Sequence, residues 1–160
     1  MTTENTIQIL TFQPQFAEAF KDLNVEWIST FFEMETSDYT VLEQPQEYII
    51  DKGGEIFIAF DSELNKVIGV CAVMKSDQKG LDYEMAKMAV SPLAQGKGAG
   101  FLLGKAAIDW AKNKSADNIF LVSNTKLDSA MRLYDRLGFK KVDWIASPYE
   151  RTNIAMIIEF

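Results

Sequence analysis

The chain of 160 residues contains no histidine and a single cysteine, Cys71. Without histidine there can be no Ser/His/Asp triad and no Cys/His dyad, and the commonest zinc ligand is missing. One cysteine excludes a disulfide framework and a cysteine-cluster metal site, so no metal is expected. A general base must then be a carboxylate, a lysine, a tyrosine or a relay of waters. Long apolar runs are missing too. None approaches the ~20 residues of a membrane-spanning helix, so no membrane association is expected. Residues 1–5 are polar, with no basic patch leading into an apolar stretch. No secretory signal is expected, and the cytoplasm is the default compartment. Positive charge is the scarcer sign: 16 Lys and Arg face 23 Asp and Glu, for a net charge of -7. Such a surface repels phosphate backbones, which argues against nucleic acid as a partner.

What is present suits one domain over residues 1–160, with 48 % hydrophobic residues to fill a core. Residues 7–12 alternate as a strand. Pro14 opens a helix carrying Phe16, Phe20, Leu23 and Trp27 at helical spacing. A second helical region over 38–50 is interrupted near Pro45. Residues 55–60 and 66–74 read as a hairpin, and 81–90 as a longer strand ending at Ser91-Pro92. A helix over 101–112 follows a glycine-rich turn. Then come a strand at 119–122 and a helix at 127–137 capped by Gly138. Strands near 140–142 and over 153–160 close the chain. This order predicts an α/β (α+β) fold: a mixed, mostly antiparallel central sheet of about six to seven strands, with helices on both faces.

The turn Gln95-Gly96-Lys97-Gly98-Ala99-Gly100 stands between a strand and a helix. The first turn of a helix has free N–H groups, and its dipole favours an anion there. Glycines let the backbone approach a phosphate and adopt positive φ. Lys97 adds a mobile positive charge. A Walker loop is excluded, because Gly98 is followed by Ala99 and Gly100 rather than by Lys-Ser/Thr. The dinucleotide fingerprint fits poorly, since its third small position falls on Phe101 or Leu103. Taken alone, the turn could still be a plain connection or a mononucleotide-phosphate binder.

Three elements occur together in order: Glu84-Met85-Ala86-Lys87-Met88-Ala89-Val90-Ser91-Pro92; Gln95, Gly98 and Gly100 as Gln-x-x-Gly-x-Gly; and Leu133-Tyr134 followed by Leu137-Gly138-Phe139. The combination resembles the GCN5-related N-acetyltransferase (GNAT) family, firmly over about 55–142 and loosely before that. The resemblance implies that acetyl-CoA is bound as cosubstrate. Its pantetheine arm would lie along Met88-Ala89-Val90, and its pyrophosphate on Gln95, Gly96, Lys97, Gly98, Ala99 and Gly100. Asn124 matches a position that often bonds the cofactor. Tyr134 matches the tyrosine that gives a proton or a hydrogen bond to the departing thiolate. With a pKa of about 10, a tyrosine holds the proton this needs at neutral pH; on packing grounds alone Tyr134 would read as an amphipathic aromatic.

Glu84 is the candidate base. Four residues before Met88 on a regular strand, it would share that residue's face; its bland alternative is a solvated or salt-bridged strand residue. Cys71, among apolar neighbours, reads as core. The acceptor side falls to Trp27, Phe31, Phe32, Glu33, Glu35 and Asp38, then to Tyr149, Glu150 and Arg151. Aromatics beside carboxylates would suit a cationic amine, and Arg151 could bind a carboxylate. Taken singly, each of these reads as core or solvated surface. The resulting expectation is transfer of acetyl from acetyl-CoA to a primary amine, of a small molecule or a protein, by direct attack in a ternary complex. The alternative is a non-catalytic acyl-CoA-sensing module of the same fold. A homodimer is left open.

Overall fold

The computed structural model describes residues 6–94, 96–147 and 149–160. Strands β1 (Ile7–Thr11), β2 (Glu55–Asp61), β3 (Lys66–Lys75), β4 (Tyr83–Val90) and β5 (Asn118–Ser123) follow one another across a seven-stranded sheet. The last two, β6 (Lys140–Val142) and β7 (Ile154–Glu159), complete it in the spatial order β5-β7-β6. Every neighbouring pair is antiparallel except β4 and β5, which are parallel.

Alternation sorts the side chains onto two faces. Phe57 and Ala59 of β2, with Cys71 and Val73 of β3, pack under helix α3 (Ala99–Asn113) through Leu103, Ala107 and Ala111. Ile56, Ile58, Val70 and Ala72 face the other way. They meet Phe20 and Ile28 of α1 (Ala17–Phe31) and Leu42 of α2 (Thr36–Glu43). Helix α4 (Asp128–Leu137) lies against α3. The approach is close because Gly104 has no side chain; a methyl group there would collide with Leu137.

Two local departures from the sequence reading have plain causes. The helical region around Pro45 breaks as expected, but resumes as a π-helical turn, Gln46–Ile50. Its wide loop closes with Asp51 N–H donating to the Gln46 carbonyl at 2.8 Å. In β4 the alternation is not continuous. Val70 pairs with Ala89 and Ala72 with Ala86, so Lys87 and Met88 together stand opposite Cys71. Lys87 takes φ +53, a left-handed backbone that a lysine rarely adopts. The extra residue in this bulge reverses the alternation after it.

Candidate active site

The bulge has a consequence for the site. Beyond Tyr83↔Ile119 and Glu84↔Phe120, β4 and β5 no longer pair, and the sheet splits. Val122, Ser123 and Asn124 line one wall of the gap and Glu84 to Met88 the other. The shared face expected for Glu84 and Met88 is not found. Glu84 pairs with Met74 and looks toward α1, whereas Met88 packs in the cluster beneath α3. The reversed alternation at Lys87 is the cause. The split makes the error immaterial to the site, because Glu84, Met88 and Tyr134 border the same cavity.

Tyr134 is fixed by the way its helix stops. Gly138, at φ +101, lets its own N–H donate to Asp135 O (3.1 Å) and Phe139 N–H donate to Tyr134 O (3.0 Å). This Schellman ending folds Phe139 back on the tyrosine, ring centroids 6.1 Å apart and edge to face. Burial pushes the phenol up to about 12, against a smaller downward pull from its hydrogen bond with Ser123. Burial likewise raises Glu84 to about 7, with Lys87 pulling modestly the other way. Two titratable groups in one cavity are thus both pushed up by burial, the carboxyl to near neutrality, and such perturbed groups cluster at acid–base sites. Cys71 is fully buried and its thiol is pushed up to about 12, which leaves it inert core.

At the start of α3, Gly96 and Gly98 have φ +83 and +78, and a Cβ at either would point into open space. Leu102 N–H donates to Gly98 O at 3.1 Å. Among the described residues, the amides of Ala99, Gly100 and Phe101 ahead of it have no acceptor. That is a fit for a diphosphate: an open floor, free N–H groups and the positive end of a fifteen-residue helix. Lys97 departs from the mobile charge expected of it. Its N–H is bonded to Ala94 O (3.2 Å), and its Nζ meets Asp61 at 3.2 Å, a fully buried carboxylate at the end of β2. Gln95, also expected here, lies outside the described residues. Arg136, which the sequence reading did not single out, borders the same hollow with its guanidinium 4.8 Å from the Phe101 ring. Its place one helical turn after the Leu133-Tyr134 pair was the available signal.

Asn124, expected to bond the cofactor, lines the gap and is already bonded within the protein. Its Nδ2 donates to Arg151 O (2.8 Å) and its Oδ1 accepts Lys126 N–H (3.0 Å). Ala89 and Val90 form the strand edge leading from the gap to the glycine turn.

On the α1 side Glu35, Asp38, Tyr149 and Arg151, four of the residues expected at the acceptor, come together, though not as a set of free carboxylates. Asp38 is fully buried. Its carboxylate accepts both guanidinium ends of Arg151 (2.7 Å each), Lys87 Nζ (3.0 Å) and the Glu35 N–H (2.9 Å). Arg151 also donates to Glu35 at 3.0 Å, and Lys87 to the Tyr149 hydroxyl at 2.9 Å. Both cations stand over the Tyr149 ring, at 4.3 and 4.8 Å from its centroid. Burial alone would raise Asp38, but Arg151, the Glu35 amide and Lys87 outweigh it and hold the carboxyl at about 2. Reading Asp38 as solvated surface therefore fails. Phe31 is 45 % exposed and leans on Trp27 rather than on the sheet. Lys87 was missed as a site residue, although a lysine between Ala86 and Met88 in a central strand is a signal in its own right.

A split sheet beside a glycine turn that suits a diphosphate is the setting of a coenzyme-dependent transferase. The chain belongs to the acetyltransferase (GNAT) family, whose sequence pattern it matches over residues 19–139, and is an acetyl-CoA-dependent acetyltransferase. No curated protein matches the sequence. Its fold is similar to that of a GNAT-family acetyltransferase from Staphylococcus aureus Mu50 (18 % identity, 96 % of this chain and 98 % of that one, TM-score 0.84). An acetyltransferase from Streptococcus agalactiae 2603 is similar as well (18 % identity, 98 % and 100 % covered, TM-score 0.80). So is the spermidine N-acetyltransferase of Vibrio cholerae in complex with CoA and spermine (19 % identity, 98 % and 96 % covered, TM-score 0.73).

Proposed function

We propose that this protein transfers the acetyl group of acetyl-CoA to a primary amine by direct attack, with both substrates bound together. One observation carries the reading. Glu84, half-buried on the α1 side, and Tyr134, held on the α3 side, border one cavity that passes through the gap between β4 and β5. A donor lying along Met88, Ala89 and Val90 from the glycine turn reaches that gap from the α3 side. An acceptor reaches it from the α1 side, past Trp27 and Phe32. The split leaves the edge of β4 beyond Glu84 unpaired, so its main chain is available to the pantetheine amides and to the developing oxyanion. No enzyme-bound intermediate is required, because alignment of two bound reactants supplies several kcal/mol.

In the proposed reaction the N–C bond forms, the C–S bond breaks and the proton leaves the amine for Glu84. A carboxyl near 7 is matched to that task at neutral pH. Tyr134 plays the quieter part. Burial holds the phenol at about 12, so it keeps its proton at neutral pH. It donates a hydrogen bond that stabilises the thiolate as it departs. At the other end, Gly96, Gly98, Ala99 and Gly100 hold the diphosphate by their main chain, with Lys97 and Asn124 steadying the surrounding loops.

Thiol release over a panel of amines with acetyl-CoA is the direct test. Amine-dependent release of CoA is the expected result. Tight binding of acetyl-CoA with no release against any amine would make the chain an acyl-CoA sensor instead.

A further inference from the structure

The acceptor half of the cavity has a charge pattern that selects among amines. Lys87 and Arg151 line it, whereas Asp38 and Glu35, the carboxylates that partner them, are not part of its wall. The two cations stand in front and their counter-charges behind. Among the described residues, Glu84 is the one acid on the lining.

The donors of these cations are only partly spent. Arg151 presents five N–H groups in a rigid plane. Nη1 is committed to Glu35 and Asp38, and Nη2 gives one proton to Asp38. The side fork of the guanidinium, Nε–H with the second Nη2–H, has no acceptor among the described residues. Nor does the third proton of Lys87 Nζ, after Asp38 and Tyr149. No buried side-chain nitrogen among the described residues lacks a partner, so the free Nε–H of Arg151 is open rather than sealed in protein. A planar side fork of this kind accepts a carboxylate through two parallel bonds. Trp27, Ile28, Phe32 and Met88 give the wall an apolar and aromatic part, beside the polar Asn24, Ser123, Asn124 and Thr152.

We infer that the acceptor is an amino acid-type molecule: a primary amine and a carboxylate on one small body, with an apolar side group. The carboxylate takes the side fork of Arg151 with help from Lys87, the apolar group lies against Trp27 and Phe32, and the amine is left facing Glu84. A polyamine is disfavoured, because it brings a second ammonium, another donor, to the side fork of Arg151 and leaves that fork without an acceptor. This rests on the acetyltransferase reading above, and the experiment separates the two.

Thiol release is measured with acetyl-CoA and four matched acceptors: phenylalanine, phenylalaninamide, phenethylamine and spermidine. The first three share a ring and an amine and differ at the carboxylate. Phenylalanine is expected to exceed each of the others at least tenfold in kcat/KM, since a buried donor set rejects analogues that leave it unpaired. In Arg151→Lys, which keeps the charge and loses the fork, the ratio of phenylalanine to phenylalaninamide falls to about threefold or less. Acetyl-CoA binding by calorimetry confirms that this variant is folded. An amide, plain amine or spermidine turned over as well as the acid overturns the inference and leaves the acetyltransferase reading standing. No release with any acceptor, despite acetyl-CoA binding, overturns both.

Discussion

On the α3 side of the split sheet, the groups offered to a ligand belong mainly to the main chain. They are the edge of β4 and the amides of Ala99, Gly100 and Phe101, which have no acceptor among the described residues. On the α1 side they are side chains. Five residues from three parts of the sequence, Glu35, Asp38, Lys87, Tyr149 and Arg151, form one network around the buried Asp38, and one of its hydrogen bonds joins residues 116 apart. Main-chain recognition asks little of the sequence beyond glycine at a turn and a bulge in a strand, so it serves any molecule with the same diphosphate and amide arm. A side-chain network can be retuned residue by residue. Its position on the acceptor side is what a fold serving one donor and many acceptors requires.

The sharpest way to break this comparison is at the centre of the network. In Asp38→Ala, Lys87 and Arg151 remain buried without their shared counter-charge. Losing one partner of such a group costs about 3–5 kcal/mol. For a chain of this size that lowers Tm by roughly 10 °C. The pH dependence gives a second readout. Asp38 is held at about 2, below its ordinary value of 3.8, so its contribution is present above pH 4 and is lost as pH falls toward 2. The gap in Tm between wild type and variant should narrow over that window. An unchanged Tm at pH 7 would mean that the network is ornamental.

Next in size is the one side chain on the donor side with a chemical role. Tyr134→Phe keeps the ring that packs on Phe139 and removes only the hydroxyl. A fall of about a hundredfold in kcat is expected, with stability within about 1 kcal/mol of wild type and the KM for acetyl-CoA little changed. Steady-state thiol release checks it. A rise in KM alone would place Tyr134 in donor binding rather than in stabilising the thiolate.

Glu84 joins the two halves, and its variant should trade activity against stability. With the carboxyl at about 7, wild-type kcat rises with pH through that value. In Glu84→Gln the inflection disappears and kcat falls at least tenfold. Stability moves the opposite way. The folded protein binds this proton more tightly than the unfolded chain does, so wild type loses stability between pH 4.5 and 7 and the glutamine variant does not. At pH 8 the variant should be the more stable by about 2 kcal/mol, discounted for partial exposure of the side chain. Urea titrations at pH 5 and pH 8 give the comparison.

The same contrast explains what was legible in the sequence. Strand order, the hairpin, the Gly138 cap and the glycine turn are local signals, each written within a few residues, and each is found in the structure. Where the reading went astray, a long-range partner or a register shift decided the outcome. Lys97 looked mobile because nothing near it in sequence points to Asp61, 36 residues away. Asp38 looked solvated because its partners are Lys87 and Arg151. Glu84 and Met88 seemed to share a face because a bulge at Lys87 leaves no mark in the pattern of a short strand. Only the lysine itself, charged among apolar neighbours, hinted that the strand departs from regularity.

The smallest effects test the donor side, and there the main chain should matter more than the charge. Gly98→Ala places a β-carbon at φ +78, which costs about 1–2 kcal/mol, and projects a methyl group into the space above the free amides. CoA binding should weaken about tenfold. Lys97→Met removes a full positive charge from the same turn, yet that charge is already held by Asp61 and is 39 % exposed. An exposed, partnered charge contributes little, about 0–1 kcal/mol, so binding should weaken by no more than about threefold. Calorimetric titration of both variants with CoA gives the order directly. Should the methionine variant lose more than the alanine variant, the diphosphate is gripped by a side-chain cation after all, and the distinction between the two halves of the cavity fails at its donor end.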